Sequence, residues 1–394
     1  MAPTATDSPL TSILPLTRFT LDGSEGLEQH LARTCEKVRE GVVALISPQH
    51  LEALLLGGGY GRGEGGVLQT EAGNRPYNDL EFYVSLRGPH WRNERHYGPI
   101  LHRLAEALTL SAGVELEFKI LPLKKLRRAP TSMFYYDLMM GHRWLWGTES
   151  LLAGCSHHCD PQRIPPSEAT RLLMNRCSGL LFSQEHLQRE PFTPDNADFV
   201  GRNIAKAQLA LGDVLLTVAG QYHWSCRERG ERLRDLDSDF PRLAEVQLHH
   251  LEGIKFKLHP QRATASHAVL QRQQHTISAL ALDLWLWLEN RRLKYSFSDI
   301  RDYGMSRLAK CPETNPWRNC LVNLKTFGPA LLCSSAAVRY PRERVLNALA
   351  MLLWVPDVSR DPVILRRVQS VLRTTANNFV DLVEAYRCLW RRYN

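Results

Sequence analysis

Residues 56–66 read Leu-Gly-Gly-Gly-Tyr-Gly-Arg-Gly-Glu-Gly-Gly and follow directly on the apolar residues 53–55. Seven glycines in this stretch are more than a plain turn needs, because each glycine loses much backbone entropy on folding. Backbone that must approach an anion closely is a common reason for such glycines, since bare amides then point at the anion. The stretch predicts a phosphate-binding loop at the end of a strand; a loose glycine linker is the alternative.

The sequence around this loop alternates helical and strand-like periods, whereas the second half is helical throughout. We expect helices at 24–45, near 97–108, from 166 onward, and at 202–222, 265–292, 342–353 and 362–393, with strands at 53–56, 79–86 and 114–121. The pattern predicts an α+β fold, in which a small mixed-sheet core is followed by an all-helical domain. The expected domains are 1–153 and 165–394, joined by a proline-containing linker, and 311–315 is a candidate for a further boundary.

Three kinds of phosphate loop fit glycine-rich sequence, and two of them fail here. A Walker loop requires Gly-Lys-Ser/Thr, which does not follow. Gly61, Gly63 and Gly66 match Gly-x-Gly-x-x-Gly, but residues 67–78 contain Gly73 and Pro76 and are no helix, as a dinucleotide fold would require. No Val-Ala-Ile-Lys strand follows, as it would in a protein kinase.

In the third kind of phosphate-binding site, carboxylates act together with the glycine loop. Asp79 and Glu81 are two apart on a predicted strand, so both side chains project from one face. Neighbouring acids repel each other unless cations lie between them, and divalent ions bound by carboxylates and phosphate oxygens form the two-metal arrangement of phosphoryl chemistry. Glu115 and Glu117 repeat the spacing on the next predicted strand. A solvated strand face is the alternative interpretation.

These residues resemble a known family. Gly58-Gly-Tyr-Gly-Arg-Gly-Glu64, followed by Pro76-Tyr-Asn-Asp-Leu-Glu81, is similar to the signature of DNA polymerase β-like nucleotidyltransferases, in the form found in bacterial PII uridylyltransferases. The resemblance covers about residues 54–120. The gap between Gly59 and Asp79 is longer than is usual in the family, which implies a looped insertion at 67–75, and the second acid is Glu rather than the commoner Asp.

The resemblance implies a polymerase β-like core, a nucleoside triphosphate as substrate and Mg²⁺ or Mn²⁺ as cofactor. It implies that Asp79 and Glu81 bind the metal and that an acid of the later strand completes the catalytic and metal set; we match that role to Glu117 and keep Glu115 as its rival. The implied nucleotide-binding residues are Gly58, Gly59, Tyr60, Gly61, Arg62, Gly63 and, on the helical domain, Lys206. Helical domains of this superfamily commonly close the nucleotide cleft, so we expect the nucleotide to bind between the two domains.

The charged residues of the loop and those of one predicted helix each have more than one possible role. Arg62 either bonds triphosphate oxygens or pairs with an acid to fix the loop, and Glu64 is expected to hold the loop rather than to bind metal. Arg202 and Lys206 lie one helical turn apart and either contact the triphosphate or form a solvated helix face.

Composition sets the remaining expectations. The chain has 394 residues and 49 Lys and Arg against 41 Asp and Glu, a net charge of +8 that permits a polyanionic partner without requiring one. Nine scattered cysteines favour reduced thiols and a cytoplasmic location, and the N-terminal sequence lacks the pattern of a secretion signal. The most apolar run, 277–288, is too short to span a membrane and predicts a buried helix.

The sequence predicts transfer of a nucleoside monophosphate to a hydroxyl acceptor, with release of pyrophosphate. The acceptor can be a small molecule, a protein or RNA, and neither the preferred nucleotide nor the oligomeric state is specified by the sequence. One alternative is a catalytically inactive nucleotide- or RNA-binding module of the same fold. Another is a toxin-like enzyme that nucleotidylates tRNA or protein.

Overall fold

The computed structural model describes residues 18–329, 336–356 and 358–394. Most of the N-terminal segment in which we expect no secretion signal lies outside these residues. The described chain is mixed α+β, with a small mixed sheet and many helices. It packs as two compact units: the first comprises the described part of Met1–Ile164 with His223–Glu228 and Lys255–Gln261, and the second comprises the remainder from Pro165 onward. These two short segments belong to the first unit, although we expected them in the helical domain 165–394.

The first unit is built on a four-stranded sheet. Its strands are β1 (Leu51–Leu56), β4 (Leu80–Leu86), β5 (Leu116–Ile120) and β6 (Arg143–Trp146), in the order β5-β4-β1-β6. Strands β4 and β5 are parallel, whereas β1 is antiparallel to both β4 and β6. A separate antiparallel hairpin is formed by β2 (Val67–Thr70) and β3 (Gly73–Pro76), in the segment where we expect a looped insertion.

Helices cover both faces of this sheet. The helices of the unit are α1 (Glu25–Leu45), α2 (Gly58–Gly61), α3 (His90–Ala112), α4 (Leu123–Leu126) and α5 (Met133–Met140), followed by three short 3₁₀ turns between Glu149 and Arg163. Side chains of α1 and α3 pack with Phe82 and Val84 on one face. On the other face, Leu55 and Tyr83 pack with residues of α4 and α5. Because side chains alternate along β4, Glu81 lies on the same face as Tyr83.

The second unit is helical in its described part. Its core lies among α6, α7, α10 and α13 and includes the buried Trp285. The helices of the second half of the chain are α6 (Pro166–His186), α7 (Pro194–Val218), α8 (Cys226–Arg234), α9 (Leu243–Leu258), α10 (His267–Leu293), α11 (Ile300–Met305), α12 (Pro316–Phe327), α13 (Arg342–Trp354), α14 (Pro362–Leu372) and α15 (Phe379–Tyr393). The last two replace the single helix expected at 362–393.

Candidate active site

The glycine-rich stretch turns the chain sharply at the end of β1. The Gly57 amide donates to the Glu81 carbonyl (2.9 Å), and the single helical turn α2 follows. Gly58 has a φ of +61°, a backbone conformation that favours glycine. A Cβ on Gly58 would lie 2.7 Å from Oε1 of Glu81, so a larger residue would displace that carboxylate. The turn therefore lies directly against the side chain of Glu81.

Most of the other residues predicted to bind nucleotide form backbone hydrogen bonds within the turn. The Gly61 amide donates to the Gly57 carbonyl (2.9 Å) and the Gly63 amide to the Tyr60 carbonyl (3.3 Å), while the Gly59 carbonyl accepts from Glu64 (2.9 Å). The first amides of a helical turn have no partner within the turn. In α2 these amides belong to residues 58–60, of which Gly58 lies next to the Glu81 carboxylate.

The side chain of Tyr60 fastens the loop from inside. It is almost fully buried, and its hydroxyl donates to the Gly66 carbonyl (2.8 Å) and accepts from the Tyr77 amide (2.9 Å). These two bonds join the end of the glycine stretch to the segment that leads into β4. Tyr60 can therefore offer a nucleotide its backbone, whereas its ring belongs to the core.

Glu64 holds the loop, as we expect from the sequence. Its carboxylate is buried and accepts hydrogen bonds from Oγ of Ser225 (2.5 Å) and from the Cys226 amide (2.8 Å). Burial by itself would raise the pKa of Glu64, but these bonds and the charge of Lys257 bring it below its ordinary value of 4.5. The carboxylate anchors the segment 223–228, which belongs to the same unit.

Strand register brings two acids side by side. Glu81 of β4 pairs with Glu117 of the parallel strand β5, so their side chains lie on the same face of the sheet. Asp79 immediately precedes β4, two residues before Glu81. Its pKa is raised by partial burial and by the negative charges of Glu81 and Glu117, so the three carboxylates are electrostatic neighbours. Glu115 precedes β5, where its carbonyl accepts from the Leu80 amide (2.9 Å) and its side chain is exposed.

Two residues that sequence reasoning overlooked complete this face. Nζ of Lys119 lies 2.8 Å from Oε2 of Glu117 and 3.4 Å from Oε2 of Glu81. The hydroxyl of Tyr83 donates to the same Glu81 oxygen (2.6 Å). Partial burial disfavours the charged form of Lys119, but the bonds to both acids raise its pKa above the ordinary value. Strand alternation was the available signal, since Tyr83 and Lys119 each follow an acid by two residues.

Arg62 pairs with an acid. Its Nη1 lies 3.0 Å from Oδ2 of Asp137 on α5, and both side chains are largely buried. Of the two roles open to Arg62 in the sequence, the structure shows the pairing that fixes the loop. This ion pair connects the glycine turn to the helix that covers the same face of the sheet.

The predicted residues of the helical half lie on α7, in the second unit. Lys206 has an exposed side chain, and Nε of Arg202 lies 3.1 Å from Oδ2 of Asp198, one turn earlier. The Asp198 carboxylate also accepts from the Ala263 amide (3.3 Å), so Arg202 is paired within the helical unit.

The side chains fit a divalent cation in kind. Oxygen ligands of this type suit Mg²⁺, and Glu81 and Glu117 already share one cationic group, the Lys119 ammonium. Within the described chain, no three or more His, Cys, Asp and Glu side chains are grouped as a ready-made metal site. In their present positions, Glu81 and Glu117 are paired with Lys119.

Comparisons with family models, with curated proteins and with solved structures each gave no match for this chain. Among the described helices, none has both the length and the apolar character needed to cross a membrane.

Proposed function

We propose that this protein is a metal-dependent nucleotidyltransferase, which moves a nucleoside monophosphate from a nucleoside triphosphate to a hydroxyl acceptor and releases pyrophosphate. One observation carries the proposal: the glycine turn after β1 contacts the carboxylate of Glu81, and Glu81 lies in register with Glu117 on the same face. A turn of bare amides beside paired acids supplies both groups that such a transfer needs. The motif resemblance to polymerase β-like nucleotidyltransferases supports the same reaction and the same core.

In this proposal, the chain contributes positioning. The amides at residues 58–60 bind phosphate oxygens, Tyr83 orients Glu81, and Glu117 orients the acceptor hydroxyl. Asp79, Glu81 and Glu117 hold Mg²⁺ or Mn²⁺, which supplies positive charge to the phosphate oxygens when it is bound. Because charge spreads over those oxygens during phosphoryl transfer, placement and electrostatic stabilisation carry most of the catalysis.

The reducing interior of a cell suits the proposal. The eight described cysteines are all free thiols, and five of them are buried. Unpaired cysteines in a chain of this length are typical of compartments that keep thiols reduced. We therefore propose that the enzyme works in the cytoplasm, where nucleoside triphosphates are available.

The proposal does not specify the class of acceptor. Labelling of a host lysate tests the activity and identifies that class in one experiment. Purified protein, Mg²⁺ or Mn²⁺ and each NTP labelled at the α-phosphate are incubated with the lysate, which is then separated into small molecules, protein and RNA. We expect one fraction to become labelled and the label to disappear with Asp79→Ala combined with Glu81→Ala. Glu106→Gln, an exposed acid on α3, is the control and is expected to retain labelling. Labelling that persists in the double variant contradicts the proposed site.

A catalytically silent nucleotide- or RNA-binding module is the second candidate. The observation that favours it is the Lys119 ammonium, which occupies the position between Glu81 and Glu117. Metal-independent NTP binding without transfer to any fraction would support this candidate over the enzyme.

A further inference from the structure

Lys119 lies where the proposed metal ligands meet. Its ammonium is within ion-pair distance of one oxygen of Glu117 and one oxygen of Glu81, at 2.8 and 3.4 Å. The ammonium also lies 5.9 Å from the centre of the Tyr83 ring, and the Tyr83 hydroxyl bonds the same Glu81 oxygen. The position of this cation is thus defined by two acids and one aromatic ring.

The position of Lys119 compensates for the repulsion between two acids that the strand register brings together. Like charges directly opposite each other on neighbouring strands destabilise a sheet, and Glu81 and Glu117 form such a pair. Lys119 follows Glu117 by two residues on the edge strand β5, so its side chain leaves the same face and reaches both acids. The ammonium therefore offsets the repulsion in the absence of a metal ion.

A divalent ion and the ammonium would require the same oxygens. Oε2 of Glu81 and Oε2 of Glu117 each already accept from Lys119. We propose that Lys119 is a built-in counter-ion that competes with the divalent cation for Glu81 and Glu117, so that metal loading displaces its ammonium. This inference rests on the proposed function, since it assumes that these acids bind metal. Its consequence is that Lys119 sets the metal concentration at which the site fills.

Mn²⁺ binding to the full-length chain, measured by the EPR signal of free Mn²⁺ without nucleotide, tests this competition. Lys119→Met removes the charge and keeps the length of the side chain. We expect it to bind Mn²⁺ about fivefold more tightly than the unchanged chain, the scale of a partly exposed ion pair. Lys119→Arg keeps the charge and is expected to bind Mn²⁺ as the unchanged chain does. Thermal unfolding of each variant verifies that it is folded.

Lys37→Met is the matched control, because it removes the same charge from an exposed position on α1, on the opposite face of the sheet. We expect its Mn²⁺ affinity to stay unchanged. Equal affinity in Lys119→Met and the unchanged chain would overturn the inference. An equal gain in Lys37→Met, or no Mn²⁺ binding in any variant, would overturn it as well.

The lysate labelling experiment separates this inference from the proposed function. Transfer of label by the unchanged chain, with no gain of Mn²⁺ affinity in Lys119→Met, rejects the role of Lys119 and leaves the enzyme in place. Tighter Mn²⁺ binding by Lys119→Met, with no transfer under any condition, supports the counter-ion and rejects the enzyme.

Discussion

The carboxylate of Glu81 is confined by three neighbours. One oxygen lies against Gly58, and the other accepts from Tyr83 and pairs with Lys119. Each neighbour fixes a different property of the carboxylate: Gly58 its space, Tyr83 its orientation and Lys119 its charge balance. Small changes at this one residue are therefore expected to alter metal binding more than they alter the fold.

Gly58→Ala tests the space that Gly58 leaves open. The left-handed backbone at φ +61° makes any alanine there cost about 1–2 kcal/mol in the free energy of unfolding. The new methyl group would also collide with Glu81, so we expect a loss of Mn²⁺ affinity in addition. Urea unfolding and Mn²⁺ titration measure the two effects.

Gly113→Ala is the control for this change. Gly113 also has a positive φ, +75°, but the space around it is open. We expect a similar loss of stability with unchanged Mn²⁺ affinity. If the two variants bind Mn²⁺ equally well, the contact between Gly58 and Glu81 has no role in the site.

Glu64→Gln tests the anchor of the glycine loop. The buried carboxylate accepts two hydrogen bonds, and we expect its replacement to lower the free energy of unfolding by about 1–3 kcal/mol at pH 7. Because the folded-state pKa of Glu64 lies below 4.5, its contribution is present above that pH and is lost as the pH falls through the folded value. The unchanged chain should therefore lose stability more steeply than Glu64→Gln below pH 4.5.

Urea unfolding at pH 7 and at pH 4 measures both effects. Glu71→Gln, in the exposed turn of the β2–β3 hairpin, is the matched control and should change neither. An identical pH dependence in Glu64→Gln and the unchanged chain would contradict the role of this carboxylate.

At the scale of elements, the hydroxyl of Tyr60 links the glycine turn to the segment before β4 through two hydrogen bonds. Tyr60→Phe removes a hydroxyl that bonds Gly66 and Tyr77 inside the unit. Leaving these groups without that partner is expected to cost about 1–3 kcal/mol. We also expect faster hydrogen exchange at the Tyr77 amide, which NMR or mass spectrometry measures. Tyr97→Phe on α3, half-buried, serves as the control and should leave that exchange rate unchanged.

The elements with a clear period were predictable from the sequence. Helix α1 and strands β1, β4 and β5 lie close to their expected positions, because their apolar residues repeat at helical or strand spacing. Helix α5 and strand β6 were missed. The residues of α5 are almost all apolar, so its sequence shows no alternation of apolar and polar types, although one face of the helix is buried. The four residues of β6 are all half-buried.

Two further differences have local causes. The expected looped insertion at 67–75 is a hairpin, whose second strand begins at Gly73 with a φ of +105°. The expected helix at 362–393 is divided, because Arg373 adopts a left-handed conformation and Asn378 caps the next helix by accepting from the Asp381 amide. Single residues determine both the hairpin and the break between the two helices, and a periodic pattern of apolar residues does not predict such residues.

For the candidate site, strand alternation predicted that Asp79 and Glu81 project from one face, whereas Glu117 was matched to the third acid through the family resemblance, with Glu115 as its rival. Strand alternation also puts Tyr83 on the face of Glu81 and Lys119 on the face of Glu117. Their bonds to these acids were not predictable, because the same pattern fits a core tyrosine and a surface lysine. The partner of Arg62 depended on α5, which the sequence pattern did not reveal. Tertiary contacts, rather than propensity, decide these roles.

At the scale of the molecule, the second unit has its own buried charged network. Glu289 is fully buried and accepts from Thr170 (2.7 Å), Tyr303 (2.9 Å) and Arg292 (2.8 and 2.7 Å). Glu289→Gln leaves the buried Arg292 charge without its close counter-ion. We expect a loss of about 3–5 kcal/mol in the free energy of unfolding, measured in urea.

Glu313→Gln is the control for this network. Its carboxylate lies 3.8 Å from Arg292 and its side chain is 42% exposed, so we expect a change of at most about 1 kcal/mol. Equal losses in the two variants would show that burial of the Glu289 pair does not matter to the stability of the helical unit.

The central claim concerns which phosphate of the nucleotide is transferred, and it is tested most directly with two positions of the label. The purified chain, Mg²⁺ and lysate are incubated with NTP labelled either at the α-phosphate or at the γ-phosphate. The account predicts that α-label becomes attached to the acceptor, that γ-label is recovered in pyrophosphate, and that Asp79→Ala with Glu81→Ala abolishes both. Attachment of the γ-label to the acceptor, or attachment of the α-label by the double variant, would contradict it.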